Sequence, residues 1–432
     1  MRALVVAAAL AGCYSPPSAR PVTPTEVDAW TAGRAAAKTG AAPASWDMDV
    51  EAALAYAAEH GSAAQAGRDA EGIARAEVGA AGQLSNPELR VGKTFDGSEA
   101  ASDRIFVALR LKPDMPWARS AAIAGARANA AAEKARTAIA VRDAAKEIRR
   151  IYASLAFGEA SRDVIVKQLG VLSKRRDVLA AQVARSAATQ LELILAEEDL
   201  VDLESKRGEL EVELTHARGV LAELVGIPQG QTWRPTWDLA TLRTVETTFD
   251  RAALAQKALA SRPELAEAAH KIQEADALAY RERALRVPWL EYVQVERSTR
   301  DAVDWAVSLG ISVPLLSLNG GEIEAADART HAAHAERRRL AVGTLRALDA
   351  AIAYAETTGK RARDLADRLA PLDKALTDLL AQPGAATVTD PVKLLLLEER
   401  HVRAERAVLA AALEHRLAVI EIESLAGGAA WR

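Results

Sequence analysis

His331 and His334 stand three residues apart, one helical turn, and a His pair at that spacing can supply two ligands to a metal ion. The seven His are otherwise scattered among Ala and charged residues, and no third ligand lies close in sequence to this pair. Gly320-Gly321 lacks the companions of a phosphate-binding loop. The single cysteine, Cys13, has no partner for a disulfide. Nowhere do a nucleophile, a base and an orienting group sit in recognisable context. These residues predict no enzyme, no catalytic residue, no resident metal and no cofactor. With one Cys and three Met, the chain offers few soft ligands to a metal ion.

The chemistry open to Cys13 is different. Met1-Arg2, an apolar run from Ala3 to Leu10 and the small residues Ala11-Gly12 are the parts of an export signal. Leu10-Ala11-Gly12-Cys13 resembles a bacterial lipobox, which implies a signal peptide over 1–12 and a diacylglycerol on the Cys13 sulfur. The alternative is an ordinary signal with an incidental Cys. Tyr14 stands where an Asp would direct retention in the inner membrane. Residues 13–46, rich in Pro, Ala, Ser and Thr, read as an extended tether. The net charge of −4, with basic and acidic residues interspersed, gives no signal for a polyanion partner, and nucleic acid is not expected. Half the residues are apolar but 4% are aromatic, which favours closely spaced helices. No later stretch reaches the ~20 apolar residues of a spanning helix, so any membrane crossing must use strands.

The elements that would position such a chain follow from periodicity. From Leu191 to Val225, one apolar series (Leu193, Leu200, Leu214, Leu221, broken at Arg207) runs with a second (Ala196, Leu203, Leu210, Ala217, Leu224). That heptad repeat predicts a coiled-coil helix ended by Gly226-Ile227-Pro228. Around it the chain reads as two repeats, 47–228 and 250–428, joined by a linker over 229–249. Each runs helix, β-hairpin, long helix, return helix. Pro87 and Pro288, Leu89 and Leu290, His60 and Ser261 are each 201 residues apart, the mark of an internal duplication. In the first repeat a long helix to about Arg185, weakly interrupted at Gly158, is expected. In the second, a polar turn over Ser298 to Asp301 is expected between strands.

Long helices of ~60–70 residues need company along their length, and the shorter helices summed in pairs nearly match them. Two short helices end to end beside each long one would build a cylinder wall. The strands alternate. Val107, Leu109, Leu111, Val307, Leu309 and Ile311 form apolar faces suited to lipid; Arg110, Lys112, Ser308 and Ser312 form polar ones suited to water. Strands of ~8–10 residues span a bilayer when tilted, but four cannot close a barrel without edges. An oligomer follows, and three copies would give twelve strands.

This layout resembles the TolC-like outer-membrane efflux family over roughly residues 47–428. The local matches are Asn86-Pro87-Glu88-Leu89, Arg262-Pro263-Glu264-Leu265 and Leu221 through Pro228. Val313-Pro314-Leu315-Leu316 leading to Asn319-Gly320-Gly321-Glu322-Ile323 is similar to the metal-efflux, CzcC-like branch; Lys112 through Trp117 departs from that branch's Gly-rich run. The resemblance implies a mainly α fold with a small membrane β part. Two β-hairpins per chain would contribute to a trimeric 12-stranded outer-membrane β-barrel, continued by an α-helical coiled-coil barrel in the periplasm. It implies as partners a homotrimer, outer-membrane lipid, a periplasmic adaptor and an inner-membrane pump of the RND type. By position it implies a periplasmic gate at Asp390 and Glu192, with Lys393 where a further gate Asp would fall. Asp390 equally reads as a helix cap. Adaptor contacts fall at Ser186, Ala187, Thr189 and Gln190 in one turn, and at Pro383, Gly384 and Thr387 in the other. The expected function is a passive duct exporting metal ions or small toxic compounds. The exit duct of a type I protein secretion system and a pore-free periplasmic scaffold are the alternatives.

Overall fold

The computed structural model describes residues 46–94, 104–228, 230–246, 248–299, 303–313, 318–381 and 391–427. The chain divides into two units. In the small one, the Arg234 N–H donates to the Trp46 carbonyl at 3.0 Å and its guanidinium pairs with Asp47 at 3.2 Å. The large unit, Met48–Gly226 with the chain from Pro235 onward, holds every element labelled below.

Helix α1 (Val50–His60) starts where Asp49 accepts from the Ala52 N–H at 2.8 Å. Gly61 separates it from α2 (Ser62–Ala81). Helix α3 (Pro116–Ala184) has Pro in its first turn, where the missing N–H would be unpaired in any case. The interruption expected at Gly158 does not occur. The helix runs through it, and a Cβ there would lie 2.7 Å from Cδ2 of Leu214 in α4 (Gln190–Val225), so the glycine permits close helix packing. Every heptad position of α4 from Leu193 to Leu224 is at least partly buried, and Leu203 packs with Ile165 and Leu172 of α3. Gly226 ends α4 in the left-handed region at φ 83°, against the His60 carbonyl.

The linker contains one helical turn, α5 (Leu239–Leu242), capped by Asp238. Then follow α6 (Arg251–Ser261), α7 (Pro263–Ala284), α8 (Gly320–Ala381) and α9 (Pro391–Leu425). Val50 and Arg251, Ser62 and Pro263, Gln190 and Pro391 open equivalent helices 201 residues apart, as a duplication requires. Helices α2 and α4 lie along α3, and α7 and α9 along α8. Helices α7 and α9 also pack on α3, a contact that matching lengths alone do not dictate. Phe157 and Val164 of α3 share a core with Val402, Leu409 and Ala412 of α9. Several turns away along α3, Arg142 pairs with Glu264 of α7 at 2.6 Å.

The four strands form one antiparallel sheet in the order β1 (Glu88–Thr94), β2 (Arg104–Leu111), β3 (Trp289–Thr299), β4 (Val303–Ser312). Strands β2 and β3 join the two repeats' hairpins, leaving β1 and β4 as edges among the described residues. The turn expected from Ser298 does not begin there. Ser298 and Thr299 extend β3, held in register with Phe106 and Ile105 on one side and Asp304 and Val303 on the other.

Candidate functional site

Residues directly opposite in an antiparallel pair share a face, so the register sorts the sheet into two. One face carries Leu89 and Val91 (β1), Ile105, Val107, Leu109 and Leu111 (β2), Val293 and Val295 (β3), and Trp305, Val307, Leu309 and Ile311 (β4). The six residues expected toward lipid all lie here, between 45% and 70% exposed. Being about half exposed, each would forgo in water roughly 1–2 kcal/mol of burial. Summed, that is roughly 10 kcal/mol, as large as the whole stability of an ordinary domain. Such a face calls for an apolar covering, either lipid or another protein surface.

The opposite face is polar and locally satisfied. Arg110 donates to Gln294 at 2.9 Å, Gln294 to Glu296 at 3.2 Å, and Lys112 pairs with Glu88 at 2.5 Å. The Arg110 guanidinium also sits 4.2 Å from the Tyr292 ring centre. Tyr292 is directly opposite Gly310, and Phe106 opposite Gly92. A Cβ on Gly310 would come within 2.3 Å of the Tyr292 ring, and one on Gly92 within 2.4 Å of Phe106. Each edge strand thus carries a glycine covered by an aromatic ring from its neighbour. Of this face, Arg110, Lys112 and Ser308 are legible from alternation; the glycine–aromatic pairs need the register.

The α3–α4 turn is exposed and closed by local hydrogen bonds. Ser186 adopts φ 56°, the Ser186 N–H donates to Val183 at 2.9 Å and the Ala187 N–H to Gln182 at 2.8 Å, satisfying the last carbonyls of α3. Thr189 and Glu192 form a capping box for α4. The Thr189 backbone N–H and hydroxyl both donate to Glu192, at 2.8 and 2.9 Å, and hold its carboxyl below the usual carboxylate range. Glu192 is therefore a helix cap in this chain, whatever it does in an assembly. Ser186, Ala187, Thr189 and Gln190 are all exposed. Cys13, Asp390, Pro383, Gly384 and Thr387 lie outside the described residues, as do the signal peptide and nearly all of the tether.

Behind the turn, Arg175 of α3 ties three helices together. It bonds Glu399 of α9, which is 3% exposed, and pairs with Asp199 of α4 at 3.0 Å; Arg403 holds the other oxygen of Glu399 at 2.6 Å. This cluster borders a cavity of about 610 Å³ together with Gln168, Asp202, Lys206 and Arg406. Sequence reading misses it because its members are distant in the chain; a Glu on the seam of a heptad helix is the one available signal. Between α8 and α9, a groove of about 400 Å³ is lined by Leu372, Leu376, Leu379 and Leu397, with His401 paired to Asp373 at 3.1 Å. His331 and His334 are exposed, and the described residues hold no group of three or more His, Cys, Asp or Glu placed for a metal.

These features define a class of fold: a mainly helical, internally duplicated chain with a four-stranded sheet suited to a membrane. Among the described residues no helix is long and apolar enough to cross a membrane. No protein-family model matches the sequence, and no curated protein matches it significantly. Solved structures do match in fold. CusC, described as forming a transmembrane channel, has 16% identity and a TM-score of 0.71 over 96% of this chain and 99% of its own. The outer membrane protein VceC of Vibrio cholerae has 18% identity and a TM-score of 0.68, over 88% and 96%. The CmeC outer membrane channel of Campylobacter jejuni has 10% identity and a TM-score of 0.70, over 96% and 94%. The fold is that of outer-membrane channels, and the three structures match so evenly that no branch of them is singled out.

Proposed function

We propose that this protein is the outer-membrane duct of a tripartite efflux system, a homotrimer passive in itself. The observation that carries the reading is the sheet, with an apolar face, a polar face and, among the described residues, edge strands β1 and β4 that each pair on one side only. Unpaired backbone groups cost several kcal/mol each in hydrocarbon, so edges within a bilayer must be closed. Three copies joined β4 to β1 close a barrel of twelve strands around water. Cys13 would anchor the chain to an outer-membrane leaflet of a Gram-negative cell. The exposed turn at Ser186–Gln190, with Pro383, Gly384 and Thr387 in the other, would meet an adaptor coupled to an inner-membrane RND pump. Asp390 and Glu192, repeated three times, would ring the periplasmic entrance and bind or repel ions. The cargo is metal ions or small toxic compounds.

The test is single-channel conductance in a planar bilayer together with the mass of the purified protein in detergent. Discrete openings from a species of three chains are expected, and Asp390→Ala should change current or ion selectivity. A monomer or dimer that leaves the bilayer silent would favour the pore-free scaffold.

A further inference from the structure

The apolar face of the sheet changes character toward its hairpin turns. Along β4 it runs from Ile311 through Leu309 and Val307, and along β2 from Leu111 to Val107, without a charge. The level containing Val91, Val107 and Trp305 then brings Arg297, and the next level, with Ile105 and Thr299, brings Lys93. Arg297 is exposed, with its guanidinium carbon 5.9 Å from the Trp305 ring centre. Lys93 and Arg297 are two strands apart and one step along, roughly 12 Å between Cα atoms by strand spacing and rise. A lipid-facing Arg is costly at the bilayer centre and nearly free at its interface. Arg297 therefore sits at headgroup level, where the half-polar indole of Trp305 also belongs.

We propose that Arg297, Lys93 and Trp305 form a binding site for the phosphate-bearing headgroup of an anionic lipid in the leaflet nearest the hairpin turns. The site rests on the reading of the sheet as membrane-spanning. The guanidinium fork donates to two phosphate oxygens, Lys93 adds a point charge, and the Trp305 ring with Val107 and Val303 covers the start of the acyl chains.

The test uses the full-length protein in phosphatidylcholine vesicles carrying a minor fraction of brominated phosphatidylglycerol or brominated phosphatidylcholine. Quenching at Trp305 is the difference between the chain and its Trp305→Phe variant. The site predicts that the brominated anionic lipid quenches at a mole fraction lower by about fivefold per basic residue. The Arg297→Gln, Lys93→Gln double variant should lose this preference and Arg297→Lys should keep most of it. Equal quenching by the two lipids, or a preference that survives the double variant, overturns the proposal. A preference abolished by millimolar inorganic phosphate assigns the site to the free anion and overturns it too. Quenching by neither lipid means the sheet has not entered the bilayer, which overturns the membrane reading along with the site.

Discussion

Glu264 illustrates how a single residue can tie the two repeats. Burial pushes its carboxyl up, yet the bonds from Arg142 and Arg262 outweigh this and hold it at about 2. A carboxyl depressed in the folded state adds stability that is present above its unfolded value, about 4.3, and lost as pH falls toward 2. Thermal melting should therefore show a drop across that window which Glu264→Gln lacks, the variant being the less stable at neutral pH. His415 adds a second acid-sensitive point. It is 1% exposed, burial lowers its pKa, and its Nδ1 lies 3.1 Å from the Ala355 carbonyl. Its contribution is present above pH ~6.5 and declines as pH falls below that value. Gly226→Ala should cost about 1–3 kcal/mol in a denaturant titration, because its φ of 83° and its contact with the His60 carbonyl both exclude a side chain. Asp49 and Asp250 each accept from the backbone N–H three residues on, at the heads of α1 and α6, a local pattern of the kind a sequence can show. The role of Gly158 is not of that kind, because the same residue weakens a helix alone and admits Leu214 when one packs beside it.

At the scale of elements, α4 is the most legible because its seam and both its ends are written within the helix and its flanking residues. Thr189→Ala removes one half of the capping box and should cost about 1 kcal/mol. Faster hydrogen exchange confined to the first turn of α4 would show it, with no change in the sheet. The strands were legible in alternation and uncertain at their ends, since the extension of β3 to Thr299 depends on partners far along the chain. A sharper test of the two faces compares neighbours. Val307→Arg puts a charge on the apolar face and should cost about 2–4 kcal/mol of bilayer stability, measured by urea unfolding from vesicles. Ser308→Arg, one residue away on the polar face, should cost far less. Equal penalties would show that the faces are wrongly assigned.

At the scale of the whole molecule, the 201-residue repeat fixed the order of elements in advance, and each repeat's hairpin found the other through β2 and β3. What the repeat did not convey is that α7 and α9 lean on α3 as well as on α8, since a duplication specifies equivalent parts and not how the copies meet. The paired glycines and rings of the polar face carry one further consequence. Phe106 and Tyr292 lie across Gly92 and Gly310, so the bulkiest side chains of that wall are tucked down where no Cβ stands. In the proposed trimeric duct, the tilt of these rings would set the width of the bore at their level. Gly310→Val would lever the Tyr292 ring toward the axis, once per subunit, and a threefold bore would respond like a closing iris, with smaller current through a barrel whose outer surface is unchanged.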